Sequence, residues 1–590
     1  MSAVLSEDTA YKPTLRELLN IMRSQMKQEQ SSFMPAWREL GEYINPRRPR
    51  FTSTDVNRGD RRNQKIIDST ATLASRTLRA GMMSGITSPA RPWFKLTLPD
   101  IELNELEAVK EWLSIVGDRL NSVFLKSNLY NVLPIMYGDL GTFGTAAIFV
   151  EEDLDSVLHF YPLPIGSYML SQNEKLKVDV LMREFQMTVR QIVQKFGIFK
   201  NNKVQNWDAF SVHVRNMWIS GQKETNVDVC HAVMPNPDAD PKMLGSEFKK
   251  FLSVYYETGA AGQQKSYFTT GVDDNRYLRK AGYDYFPVLA ARWETTGEDV
   301  YATDCPGMTT IGDIKQLQIG ERRVAQAIDK MINPPMVGNP ALRTAKASIL
   351  PGDTTYVDTS NGSVGFKPAH EVRFDIGAME GKQGQVRNRV QRGWFEDIFL
   401  MITDSDRRTV TATEIAEKKQ EKLLVLGPVL EQLNTDVLDN LIDLGFYFMD
   451  LQGLLPPPPQ QIQGQRLKVE YISIMAQAQK LLGINSVDRF VGFIGQMAQY
   501  EPKALMKLNV NKTIDRYADM LSIDPSILNT DEEVAKMAAA QAAAQQQQQQ
   551  AEQITQLSGA AKNLAQAPMD SDSALSRIVD SAQAGQQAEA

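Results

Sequence analysis

"FPVLAARWETTGEDVYATDCPGMTTIGDIKQLQ", from Phe286 to Gln318, holds the change of character on which the fold turns. Up to Cys305 the chain mixes helical stretches with short alternating apolar segments. From Pro306 onward long helices dominate. "GMTTIGDIKQLQIGERRVAQAIDKMI" reads as the first of them, closing at Ile332 before "NPPMVGNP". A Gly-, Pro- and Thr-rich stretch with short strands comes next. A second helix, "GAMEGKQGQVRNRVQRGWFEDIFLMI", then runs to Ile402. The class expected from this pattern is α+β, predominantly helical.

Toward the N-terminus, "TLRE" at Thr14 to Glu17 is a capping box: hydroxyl and carboxylate each satisfy the other residue's backbone N–H. It opens a helix with Leu15, Leu18, Leu19, Met22 and Met26 on one side. A separate helix is expected from Pro35 to Ile44, stopped by "NPRRPRF". Asp68 then caps a helix carrying Leu73, Thr77, Leu78 and Met82, with Gly81 and Gly85 placed to end it. Trp93 to Leu98 reads as a strand. In "NELEAVKEWLSIVGDRLNSVFLKS", apolar residues from Leu106 to Val123 step by three and four along one helical face. "AAIFVEE", "LHFYPLP", "KVDVLMREF", "DVCHAVMP" and "FLSVYYE" follow as strands of a modest mixed or antiparallel sheet, interrupted by a capped helix from Thr188 to Phe196.

Toward the C-terminus, "ITDSDRRTVTATEIAEKKQEKLLVLGPVLEQL" (Ile402 to Leu433) joins a basic turn to a long helix. Thr411 is its N-cap and Glu414 completes a second capping box. Leu423, Leu426, Leu430, Leu433 and Val437 form its apolar stripe. Pro428 inside it removes a backbone hydrogen bond and predicts a kink, at a cost of about 3 kcal/mol. Pro456 to Pro459 is a stiff break before a small helical unit, and the last sixty residues are an Ala/Gln-rich tail.

The search for chemistry excludes more than it finds. "GAMEGKQ" at Gly377 to Gln383 is one residue short of a phosphate-binding loop and lacks the hydroxyl that holds magnesium. The four histidines, His159, His213, His231 and His370, lack metal-ligand spacing. Cys230 and His231 fall on opposite faces of an expected strand, so packing outweighs ligation. "GMMSGITS" around Ser84 is only a loose match to a nucleophile elbow. No catalytic residue, metal or cofactor is expected. Two cysteines in 590 residues give no disulfide framework. No apolar run is long enough for a membrane span, and the N-terminus lacks a secretory pattern. The basic loop "PRRPRFTSTDVNRGDRR" reads as a solvated loop or an ion-pairing subunit interface rather than a nucleic-acid arm, since Phe51 is its only aromatic. A net charge of −7 speaks against a protein built to grip nucleic acid over its whole surface.

The order of five motifs is more distinctive than any one of them: "GMMSGITSPARPWFKL", "REFQMTVRQIVQKFG", the opening quotation, "NPPMV" and "TVTATEIAEKKQEKLLVLGPVLEQL". Together they resemble the portal proteins, or head-to-tail connectors, of short-tailed double-stranded DNA bacteriophages, from about Leu15 to about Glu533. Ala302 departs from the pattern, standing where a glycine is expected. The resemblance implies a portal fold assembled as a homo-oligomeric ring, a dodecamer, around a central channel at one capsid vertex of the virion, built in the host cytoplasm. It implies a wing at 1–305, stem helices at 306–332 and 376–402, and a clip at 333–375 with Arg343 and Lys346 as docking candidates. A tunnel loop at 403–410 would present Asp404, Asp406, Arg407 and Arg408 to DNA. A kinked channel helix at 411–455, a crown-like region at 456–530 and the tail at 531–590 complete the layout. The implied partners are the terminase large subunit during packaging, a tail adaptor, the major capsid protein, scaffolding or internal core proteins, and double-stranded DNA in transit, with no membrane. The competing expectation is a DNA-processing enzyme of the packaging machinery, an ATP-driven translocase or nuclease.

Overall fold

The computed structural model describes residues 14–260, 276–338, 375–403, 426–462 and 467–472 almost without break, and scattered positions elsewhere. The chain divides into two compact units, Met1–Leu482 and Gly483–Ala590. In the second unit the longest described pieces, residues 490–497 and 536–544, are helical. All that follows concerns the first.

In chain order its elements are α1 (Leu15–Tyr43), α2 (Thr70–Gly85), β1 (Phe94–Thr97), α3 (Ile101–Asn104), α4 (Glu107–Lys126) and α5 (Leu129–Phe143). Next come β2 (Thr145–Asp153), β3 (Val157–Leu163), β4 (Tyr168–Gln172), β5 (Val178–Thr188), α6 (Val189–Phe196), β6 (Phe199–Lys200), β7 (Lys203–Val204) and α7 (Val212–Ile219). β8 (Asn226–Pro235), β9 (Phe251–Ala260), β10 (Arg279–Tyr283) and β11 (Val288–Arg292) lead to α8 (Pro306–Ile332), β12 (Met336–Val337) and β13 (Lys367–Pro368). Last are α9 (Ile376–Gly393), α10 (Glu396–Thr403), α11 (Gly427–Leu433), a π-turn at Asn434–Leu438, α12 (Asp439–Leu451) and β14 (Lys468–Tyr471). The class is α+β. No described helix is long and apolar enough to cross a membrane.

Both large sheets are antiparallel: β11-β2-β3 and β10-β9-β8-β5-β4. Period-two alternation in β8 divides the second sheet's burial between two cores. Cys230, Ala232 and Met234 pack with Leu19 and Met26 of α1. Val227 and Val229 face α6 and α7. Cys230 and His231 are both fully buried on opposite faces, as their strand position requires. The largest core holds Trp37, Tyr137, Tyr301 and Trp394, where α1, α2, α5 and α8–α10 converge on the three-stranded sheet.

Several elements differ from expectation. α1 is one helix of 29 residues, not two. Its capping box at Thr14 is present, but Pro35 does not end it, because Trp37, Leu40 and Ile44 beyond it are buried in the main core. That burial outweighs about 3 kcal/mol of lost hydrogen bonding and ring clash. Gly81 lies inside α2, and a Cβ there would fall 2.2 Å from the Phe399 ring. It is the seat of α10, not a stop signal. Ala302 has no left-handed backbone; its N–H donates to Thr145 Oγ1 at 2.9 Å, so the local turn does not need glycine. Residues 468–471, expected within a helical region, form β14 because an open β1 edge sits beside them and Trp112 Nε1 pins the proline break through Pro456 O at 3.1 Å. The basic loop forms ion pairs within its own chain: Arg48 reaches buried Asp139 at 2.7 Å, and Arg62 pairs with Asp55 of the same loop at 2.7 Å.

His231 shows what the sheet core tolerates. Arg183 Nε donates to its Nδ1 at 3.1 Å, so the proton sits on Nε2, which donates to Ser253 Oγ at 3.0 Å. Tyr255 stacks on the ring at 3.8 Å. Burial, followed by the charges of Arg183, Arg279 and Lys195, holds the imidazole well below its ordinary value; Glu151 faces the same cluster but pairs with Lys195 and Arg279. The folded state therefore keeps His231 neutral while the unfolded chain protonates below about pH 6.5. Stability is expected to fall on acidification from pH 6.5, by about 1.4 kcal/mol per unit at most from this group. Urea unfolding at pH 7.5 and 5.5, compared with His231→Gln, measures it; an equal pH slope in the variant refutes the assignment.

Candidate functional site

The segment singled out by the sequence, with Asp404, Asp406, Arg407, Arg408, Thr411 and Glu414, lies in 404–425, outside the described residues, as do Arg343 and Lys346. The structure describes how the chain is held on either side of that segment.

On the upstream side α8 and α9 run antiparallel. α8 begins at a tight seam: Cys305 Sγ accepts the Met308 N–H at 3.5 Å, and a Cβ on Gly307 would meet Thr142 O at 2.3 Å. Asp313 pairs with Arg389 at 2.6 Å. Arg387 bridges Glu321 at 2.5 Å and Asp68 at 2.9 Å, which ties both helices to the start of α2. Gln318, nearly fully buried, accepts the N–H groups of Ile67 and Asp68 and donates to Asp68 O. At the end of α9, buried Trp394 donates Nε1–H to Thr310 Oγ1 at 3.0 Å, and that hydroxyl donates to Pro306 O at 2.6 Å. Gly393 leaves room for the Thr310 methyl. Phe395 takes the left-handed conformation (φ 55°) that non-glycine residues rarely adopt, stacks on Trp293, and turns the chain into α10. Phe399 locks into the Gly81 notch. The chain therefore reaches Thr403 from a fixed elbow.

On the downstream side Leu426 is buried and α11 starts at Gly427, with Pro428 in its first turn. A proline at that position removes no hydrogen bond within α11 itself. Residues 404–425, up to Leu426, lie outside the described ones. Among the described residues the irregularity lies further on, in the five-residue π-turn at 434–438 that directly follows Leu433. Asp436 within it meets Arg292 at the end of β11, Nε to Oδ2 and Nη2 to Oδ1, both at 3.1 Å. Arg292 is 4% exposed and its remaining donors reach Gln172 Oε1 and the carbonyls of Leu176 and Asp299. Gln432 also donates to Asp436 at 2.8 Å. A charge-assisted bidentate pair thus fixes the π-turn to the sheet.

α8 and α9 carry eight basic residues against four acidic ones, in a chain whose net charge is −7. Exposed Arg322, Arg323 and Lys330 on α8, and Lys382 and Arg392 on α9, make no ion pair among the described residues. Sequence reasoning passed over this surplus, although a count of charge per helix would have found it. It had no means of finding Arg292–Asp436, whose partners are 144 residues apart.

Among the described residues no group of His, Cys, Asp and Glu could hold a metal. Both cysteines are buried, and burial raises each thiol's pKa, Cys230 to about 11 and Cys305 to about 12. Ser84 Oγ donates to Gly81 O within its own helix. The body is a packed frame with fixed contacts on either side of residues 404–425. A sequence profile described as "Bacteriophage head to tail connecting protein" matches residues 16–528, and the chain belongs to that family. It is 44% identical over 574 residues to the portal protein of Salmonella phage epsilon15, covering 97% of this chain and 100% of the relative. It is 41% identical over 522 residues to a probable portal protein of Bordetella phage BPP-1, covering 88% and 90%. A chain from the virion of a native gene transfer agent particle aligns over 80% of this chain and 92% of its own, at TM-score 0.31 and 8% identity, too loosely to bear on the fold. As a phage portal protein, the chain is a structural component of the virion and not an enzyme.

Proposed function

We propose that copies of this chain close into a ring, a dodecamer, at one capsid vertex, through whose channel double-stranded DNA is packaged by terminase and later ejected through the tail. In this reading residues 1–305 form the wing against capsid protein, 306–332 and 376–402 the stem, and 333–375 the clip, with Arg343 and Lys346 offered to terminase and then to the tail adaptor. Residues 403–410 form the tunnel loop, the segment from 411 to 455 braces the channel, and 456–530 with the tail faces the scaffolding or core proteins of the head. The observation that carries the reading is the pair of anchors around 404–425: the Trp394–Phe395 elbow on one side and the Arg292–Asp436 pair on the other. A loop that meets moving DNA needs fixed ends, and these supply them.

Each subunit brings Arg407 and Arg408, and the ring repeats them around the duplex. Roughly 6–10 phosphate contacts already give strong, salt-sensitive attachment, so a bore using every arginine at once would stall DNA. Asp404 and Asp406 in the same loop dilute that charge, leaving brief contacts suited to sliding. Face-on electron micrographs of the purified protein test the ring directly: separate monomers at every concentration end this reading. For the loop, Arg407→Ala/Arg408→Ala is expected to assemble normally but to lose packaged DNA. Full retention with a weakened ring would instead assign both arginines to contacts between subunits.

A further inference from the structure

β8 separates two features that the proposed function leaves unused. Past its C-terminal end, residues 236–250 form a protrusion held by its own hydrogen bonds. Asn236 Nδ2 donates to Glu247 O and Lys249 O at 2.8 Å each, the Asp240 N–H to Phe248 O at 3.0 Å, and the Met243 N–H to Asp240 O at 3.1 Å. The shape is fixed, yet its tip is apolar: Leu244 is fully exposed and Met243 is 52% exposed. Asp238 and Asp240 beside the tip form no ion pair among the described residues.

At the other end of β8, α7 packs over Val227 and Val229 through Val214. Its outer face presents Val212, Arg215 and Ile219 at i, i+3 and i+7, with Val212 53% and Ile219 71% exposed. Arg215 lies over Trp207 and Lys223 over Trp218, at 6.0 and 4.4 Å from the ring centres, and neither pairs with a carboxylate among the described residues. Residues 189–225 carry six basic residues against Asp208 and Glu224 alone, within an acidic chain. Tip and face are complementary in kind: an apolar knob beside two carboxylates, Asp238 and Asp240, against the one cation Lys242, and an apolar helix face beside Arg215 and Lys223, which lie over Trp rings and pair with no carboxylate among the described residues.

We infer that the Met243–Leu244 tip of one copy seats on the α7 face of the next, head to tail. The ten residues of β8 span about 30 Å, with the tip past one end and α7 packed over the other, so one chain cannot join them to each other. Two different patches that meet between copies make a heterologous contact, the kind that closes into a ring when the rotation permits. Leu244 covers Val212 and Ile219, while Asp238 and Asp240 face Arg215 and Lys223. The inference rests on the ring assembly proposed above.

Leu244→Cys combined with Ile219→Cys tests it, because Cys230 and Cys305 are buried and do not compete. A short bismaleimide added to the assembled protein is expected to give a ladder of covalent multiples on a denaturing gel, and neither single variant gives one. Leu244→Asp is expected to raise the concentration for half-assembly at least 10-fold, with circular dichroism and thermal midpoint unchanged, since the residue touches nothing in its own chain. Rings that form but yield no ladder, together with normal assembly of Leu244→Asp, overturn this contact and leave the ring reading intact. If Leu244→Asp rings form normally but no longer bind capsid protein, the tip serves a different partner and the inference also fails. A parent protein that never assembles removes both.

Discussion

Asp436→Ala is expected to destabilise the body by about 3–5 kcal/mol, the usual consequence of removing one partner from a buried ion pair. Arg292 would keep its charge at 4% exposure with only Gln172 and two carbonyls to receive its donors. The penalty is mostly the stranded guanidinium, not the lost attraction, and this can be separated experimentally. Arg292→Met/Asp436→Leu removes both charges and is expected to recover most of the loss, because an apolar pair of similar volume needs no solvation. Urea midpoints of parent, single and double variants supply the comparison. If the double variant is as weak as Asp436→Ala, packing and not charge holds the π-turn. On the proposed ring reading, the single variant is expected to package DNA poorly in infected cells even where rings form, since the contact that holds the chain after residue 425 would be loose.

Trp394→Ala is expected to cost about 3–5 kcal/mol, as large-to-small changes of buried aromatics do. Trp394 is fully buried, its indole N–H is matched by Thr310 Oγ1, and Gly393 and Phe395 on either side are shaped to its position. Trp394→Phe fills most of the space but loses the hydrogen bond, so a smaller loss of about 1 kcal/mol is expected beyond the change in volume. Thermal unfolding of the three proteins gives the ranking. An alanine variant as stable as the phenylalanine one would show that the elbow collapses without cost and does not fix where the chain leaves for residue 404.

Local patterns were readable because their causes are local. The capping boxes at Thr14 and Thr188 involve partners three residues away. The helical steps of 107–126 and the alternation of β8 report which face is buried whatever the partner is. By itself the sequence determined the α+β class, α8, the opposite facing of Cys230 and His231, and the family, through the order of its motifs; the second helix, expected unbroken to Ile402, is divided at Trp394–Phe395 into α9 and α10. Only the tertiary structure decided that Pro35 stays within a helix, that Gly81 is a notch for Phe399, that β14 returns to β1, and that Arg292 meets Asp436. Each of these depends on a partner far along the chain, and whether burial there outweighs a local cost is set by which surfaces the folded backbone brings together.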